Sequence, residues 1–147
     1  MGERLNDNEF KCFTAIFKTM KIKDVMNKNL VSIDGERKII EACKLMGEKH
    51  IGSVLVTLEN KPYGIFTERD LLSKAIAKGL DINKAKIKDY ASHPLITVSG
   101  DYEVRECARI MSDMKIRRLI VASQGKIEGI FTASDLARVL SKSPLEF

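Results

Sequence analysis

Two threonine–aspartate pairs at one fixed spacing carry most of the chemistry in this 147-residue chain. Thr67 and Asp70 lie in Gly64-Ile65-Phe66-Thr67-Glu68-Arg69-Asp70-Leu71. Thr132 and Asp135 lie in Gly129-Ile130-Phe131-Thr132-Ala133-Ser134-Asp135-Leu136. A Thr-x-x-Asp at a helix entrance can be a capping box, in which the hydroxyl takes one free N–H and the carboxylate reaches back to another. The same groups suit a nucleotide. A carboxylate can accept both hydroxyls of a ribose. A helix N-terminus favours a phosphate through its outward N–H groups and its dipole. Arg117 and Arg118, at the start of a neighbouring strand, could clamp that phosphate by paired hydrogen bonds. Each such charge-assisted bond contributes on the order of 1.5–3 kcal/mol. The glycine ahead of each threonine leaves room for another group to approach the backbone. Capping alone and ligand binding both account for Thr-x-x-Asp.

The elements that must position these groups occur twice. The two segments lie 65 residues apart, and the match extends upstream: Ile22-Lys23-Asp24 recurs as Ile87-Lys88-Asp89, with Gly35 matched by Gly100, Glu41 by Glu106 and Met46 by Met111. The register holds without a gap from Ile22 to Leu71, with roughly a third of positions identical. The chain is a tandem duplication, and a repeat of about 50 residues is too small to bury a secure core alone. Each copy reads strand, helix, strand, strand, helix. In the first, a strand Leu30 to Ile33 precedes a helix from about Glu36 to Lys49, with Asp34 as its cap and Ile39, Ala42, Cys43 and Met46 on its inner face. A strand Ser53 to Thr57, a turn at Asn60-Lys61-Pro62 and a strand Tyr63 to Phe66 follow, and Thr67 opens a helix ending at Gly79. The second copy predicts strand Leu95 to Val98, helix Tyr102 to Met114, strand Arg118 to Ala122, turn Gln124-Gly125-Lys126, strand Ile127 to Phe131 and helix Ala133 to Ser141. The expected fold class is α+β. Its segments are an N-terminal amphipathic helix (1–20), repeat 1 (21–79), a connector (80–86), repeat 2 (87–141) and a tail (142–147). Phe10, Phe13, Phe17 and Met20 recur at helical spacing and need an apolar surface, on this chain or on a second subunit.

Composition narrows the function classes. Hydrophobic content is 44% and charged content 31%, ordinary for a globular protein. No apolar run approaches the ~18 residues of a membrane span, and the N-terminus lacks a signal-peptide pattern, so a cytoplasmic protein is expected. Cys12, Cys43 and Cys107 are odd in number and far apart, which predicts buried free thiols rather than disulfides or a zinc site. His50 and His93 offer no metal pair. There is no Ser-His-Asp order, no Cys-His pair with a third partner and no Walker-type loop, so no catalysis and no catalytic cofactor are expected. The net charge of +5 is compatible with phosphate-bearing ligands. Nucleic-acid binding is a minor alternative, without a helix-turn-helix, zinc or aromatic stacking motif behind it.

Taken with Ile22 to Met26, Ile51-Gly52-Ser53-Val54-Leu55-Val56 and Ile116-Arg117-Arg118-Leu119-Ile120-Val121, the two Gly-Ile-Phe-Thr-x-x-Asp segments make residues 20–141 resemble a tandem pair of CBS domains, a Bateman module. The resemblance implies a regulatory sensor that binds adenosine-containing ligands (AMP, ADP, ATP or S-adenosylmethionine) in clefts between the repeats, and that pairs into a homodimer. Carried over, it implies one site of Thr132, Ser134, Asp135, Arg117 and Arg118 with Ile51 and Ser53 near the base. It implies another of Thr67, Arg69 and Asp70 with Gly52, Ile116 and Arg118. The family often has proline where Leu55 and Ile120 stand. The copies differ at Gly52-Ser53 against Arg117-Arg118 and at Glu68-Arg69 against Ala133-Ser134, so the sites are expected to be unequal. Any client would be a separate protein. A dimerisation scaffold without a ligand is the alternative.

Overall fold

The computed structural model describes residues 7–8 and 20–142. The chain divides into two compact units. One is continuous, Leu30–Ile96. The other combines the chain up to Asn29 with the chain from Thr97 onward. These units cut the chain differently from the sequence repeats. The N-terminal Phe10, Phe13 and Phe17 stripe and Cys12 lie outside the described residues.

The continuous unit holds a three-stranded sheet in the order β1-β2-β3. Strand β1 (Ser32–Asp34) runs parallel to β2 (Ser53–Leu58), and helix α1 (Ile39–Lys49) connects them. Strand β3 (Lys61–Thr67) returns antiparallel to β2. The turn between them is Glu59-Asn60, with φ of 51° and 62°. Two positive φ values make a type I′ hairpin, whose twist matches that of the flanking strands. Pro62, expected in the turn, instead sits opposite Thr57 at a register shift in the ladder, where a missing N–H is tolerated. After β3 comes a short α2 (Glu68–Asp70) that continues as a π-helix over Leu71–Ile76. Gly79 follows at φ +66°. The other unit repeats the plan with β4 (Thr97–Val98), α3 (Val104–Met114), β5 (Arg118–Ser123), β6 (Lys126–Thr132) and α4 (Ala133–Ser141).

Two expected helix starts move. Helix α1 begins at Ile39 rather than Glu36. Asp34 does not cap it; its Oδ1 accepts from the Glu36 N–H at 2.9 Å and closes a local turn. Helix α3 likewise begins at Val104 rather than Tyr102. In both cases the box is closed by an acid three residues into the helix: the Glu41 carboxylate accepts from the Lys38 N–H, and Glu106 from the Glu103 N–H.

The core of the continuous unit gathers Ile39, Ala42 and Met46 of α1, Val54 and Val56 of β2, Phe66 of β3, and Ala75, Ile87 and Ala91. Helix α3 buries Val104, Cys107 and Met111 at the same spacing. Cys107 is buried and its thiol is pushed up to about 11, whereas Cys43 is half-buried rather than buried; both are free. No helix among the described residues is long and apolar enough to cross a membrane.

Each sheet is completed by the leading segment of the other repeat. The Ile65 N–H donates to Ser92 O at 2.9 Å and the Ser92 N–H returns to Ile65 O at 2.8 Å. Equivalent bonds join Ile130 and Asn27, both 2.9 Å. The Lys88 N–H donates to Gly35 O, and the Lys23 N–H to Gly100 O, each at 3.0 Å. The correspondence is bond for bond at the repeat offset.

Candidate functional site

Both Thr-x-x-Asp motifs are complete capping boxes. The Thr132 hydroxyl accepts the Asp135 N–H at 3.2 Å and donates to Asp135 Oδ2 at 3.0 Å, while the Thr132 N–H donates to the same Oδ2 at 2.9 Å. Thr67 and Asp70 repeat this at 3.1, 3.0 and 3.0 Å. The first N–H of each helix is also taken. The Ala133 N–H donates to Arg117 O at 2.8 Å, and the Glu68 N–H to Gly52 O at 3.0 Å. These bonds tie each helix entrance to the start of the adjacent strand. They also fix what is left for a ligand. Each threonine hydroxyl is engaged by its own aspartate, donating to the carboxylate and accepting from the N–H.

What remains is the second oxygen of each carboxylate. Asp70 and Asp135 are the buried charged residues of the described chain, 5% and 7% exposed. A buried carboxylate must be met by donors. Asp135 Oδ1 takes a bond from Arg138, one helical turn on, whose side chain is 61% exposed. Asp70 Oδ1 is met differently, by Lys74 Nζ at 3.0 Å and by the Ser92 hydroxyl at 2.9 Å. Arg138, Lys74 and Ser92 were not singled out in the sequence. The first two stand at the i+3 and i+4 spacing at which helical side chains meet. Ser92 lies 22 residues from Asp70 and has no such local signal.

The structure brings Thr132, Asp135, Arg117 and Arg118 together in one unit: Arg118 pairs with Thr132 across β5 and β6. Arg117 is exposed and Arg118 half-buried. Ser134 is exposed at the second position of α4, and Ile116 is half-buried just ahead of the arginines. Thr67, Arg69 and Asp70 form the corresponding group of the continuous unit, where Ser53 pairs with Thr67. Ile51, Gly52 and Ser53, all half-buried, belong to that unit as well. At the entrance of α2 stands Glu68, a carboxylate that would repel a phosphate; its counterpart Ala133 is neutral.

The motif glycines have a structural cause. A Cβ on Gly64 would lie 2.6 Å from Ser92 O, and one on Gly129 would lie 2.6 Å from Asn27 O. The group that approaches the backbone is the chain's own completing segment. Leu55, where the family often carries proline, donates its N–H to Val31 O at 2.9 Å, a bond proline could not make. Among the described residues no cluster of His, Cys, Asp and Glu could hold a metal ion.

Comparison with known proteins agrees with this geometry. The sequence matches the CBS domain twice, over residues 22–77 and 87–142. An uncharacterized protein of Methanopyrus kandleri, MK0525, is 36% identical over 124 residues, which are 83% of this chain and 63% of that protein. The crystal structure of an uncharacterized conserved protein from Pyrococcus horikoshii superposes with a TM-score of 0.80 at 29% identity, covering 85% of this chain and 95% of that one. A hexameric CBS-CP12 protein from bloom-forming cyanobacteria superposes with a TM-score of 0.77 at 31% identity, covering 85% of this chain and 68% of that one. Proteins built on CBS pairs are generally regulatory and ligand-binding. With both repeats matched and the fold shared, this chain belongs to the CBS-domain family as a tandem pair.

Proposed function

We propose that the chain is a non-catalytic, cytoplasmic regulatory module that binds an adenosine-containing ligand, of the AMP, ADP, ATP or S-adenosylmethionine class, through the Thr132–Asp135 box. The observation that carries this reading is the state of Asp135. Its Oδ2 is spent on the box, while its Oδ1 is held by an exposed guanidinium. The arginine end of that pair is exposed, so water can receive the guanidinium while the hydroxyls of a ribose take over as the donors the buried carboxylate needs. Arg138 then swings into solvent and joins Arg117 and Arg118 as a further cation for a phosphate. The ligand acts by unequal affinity for two arrangements of the module. The acting form is a homodimer.

Isothermal titration calorimetry with the four ligands tests this. Binding is expected with at least one, and no heat from any at millimolar concentration refutes it. Asp135→Ala is expected to weaken binding more than Asp70→Ala; equal losses contradict the ranking. The completeness of both boxes favours a second reading, a scaffold that binds no ligand. Under that reading nucleotides leave the melting temperature unchanged, and Asp135→Ala lowers stability by roughly 1 kcal/mol and does nothing else.

A further inference from the structure

The two boxes are alike in the half of the carboxylate that caps the helix and unlike in the half that would face a ligand. At Asp70 that half is already answered from within. Lys74 Nζ lies 3.0 Å from Asp70 Oδ1, 3.1 Å from Tyr90 O and 3.2 Å from Ser92 Oγ. The three donor directions of an ammonium are thereby used. Ser92 Oγ in turn donates to Asp70 Oδ1 at 2.9 Å. One amine and one hydroxyl thus converge on the same carboxylate oxygen. Ser92 is held in place by its paired backbone bonds to Ile65. Lys74 is 39% exposed.

Neither residue recurs in the other repeat. At the repeat offset Lys74 corresponds to Val139, which has no donor, and Ser92 to Asn27, whose side-chain oxygen accepts from the Asn29 N–H at 2.9 Å. Seating a diol at Asp70 would require the ammonium to leave three acceptors at once. Two of them, Tyr90 O and Ser92 Oγ, would be stranded in half-buried positions, which costs more than releasing a solvated group. At Asp135 the displaced group is an exposed guanidinium that water receives.

We propose that Lys74, with Ser92, is a built-in plug: it occupies at Asp70 the place of a ligand's hydroxyls, so that the chain binds one nucleotide, at Asp135, and none at Asp70. This rests on the nucleotide-binding reading and adds its stoichiometry and the residue that sets it. The test is calorimetric stoichiometry on the full chain, using the tightest binder among AMP, ADP, ATP and S-adenosylmethionine. Wild type is expected to take one per chain, and Asp70→Ala to leave both the count and the affinity unchanged within twofold. Asp135→Ala is expected to abolish binding. Lys74→Met is expected to raise the count to two, and Lys74→Arg, which keeps a cation, to leave it at one. Two sites in wild type, or a residual site in Asp135→Ala, overturns the plug while leaving the nucleotide reading standing. A count of one in a folded Lys74→Met protein also overturns it. If Lys74→Met does not fold, the two aspartate variants decide alone. No binding by wild type refutes the nucleotide reading, and the plug with it.

Discussion

At the level of single residues, one side chain serves two masters: Asp135 spends one oxygen on its own helix and keeps the other in play. The threonine–aspartate pairs were legible in the sequence because their partnership is local, three positions apart on a helix entrance. The donors that distinguish the two sites were not, since Ser92 reaches Asp70 through the sheet rather than along the chain. A second residue shows how charge is placed elsewhere. Glu36 bonds Lys86 at 2.7 Å and Lys88 at 2.5 Å. These hydrogen bonds hold its carboxyl well below the ordinary carboxylate value of 4.5, at about 2. A depressed carboxylate pKa stabilises the fold above the unfolded-state value and ceases to do so as pH falls through the folded one. Glu36→Gln is therefore expected to lower the melting temperature at neutral pH and to match wild type once pH has fallen from 4.5 to about 2. Because the pair is exposed, salt should narrow the difference. Melting curves across pH in low and high salt check both.

Among the elements, the strand order and the entrances of α2 and α4 followed the sequence, whereas the starts of α1 and α3 and the first hairpin turn moved. The short apolar runs Val54-Leu55-Val56 and Leu119-Ile120-Val121 mark β2 and β5, while Asp34 misled because an aspartate two residues before a free N–H closes a local turn as readily as it caps a helix. The motif glycines show the opposite case, in which the physical reading was sound and its object different. Space was left for an approaching group, but the group is Ser92 O or Asn27 O. A sequence shows that a position must be empty without showing what fills the emptiness. Gly129→Ala places a carbon 2.6 Å from a backbone oxygen, closer than real contacts allow. Overpacking of that kind typically costs about 1–3 kcal/mol. Chemical denaturation should show a loss in that range, with faster exchange at the Asn27 and Ile130 amides that share the paired bonds. A neutral substitution would mean that the completing segment is not held where it is described.

For the molecule as a whole, the duplication was plain in the sequence, whereas the exchange of flanking segments was not. Ile22-Lys23-Asp24 and Ile87-Lys88-Asp89 match each other, and matching says nothing about which copy each one completes. The hydrogen bonds decide it: Lys23 bonds Gly100, and Lys88 bonds Gly35. One compact unit is therefore a continuous piece of chain, and the other is assembled from two distant pieces. A fragment spanning Leu30–Ile96 is expected to unfold cooperatively by itself. A fragment beginning at Thr97 lacks Ile22 and Asn27. It is expected to gain native amide protection only when a peptide covering residues 20–29 is added. Circular dichroism and hydrogen exchange on the two fragments test this, and an autonomous C-terminal fragment would contradict it.

The exchange also bears on what a lone repeat could be. A single copy has its own leading arm, but in this architecture that arm completes a different copy. Two separate copies could satisfy each other only by trading arms, in a dimer that falls apart on dilution. Joining them in one chain fixes the local concentration of each arm and makes the trade independent of how much protein is present.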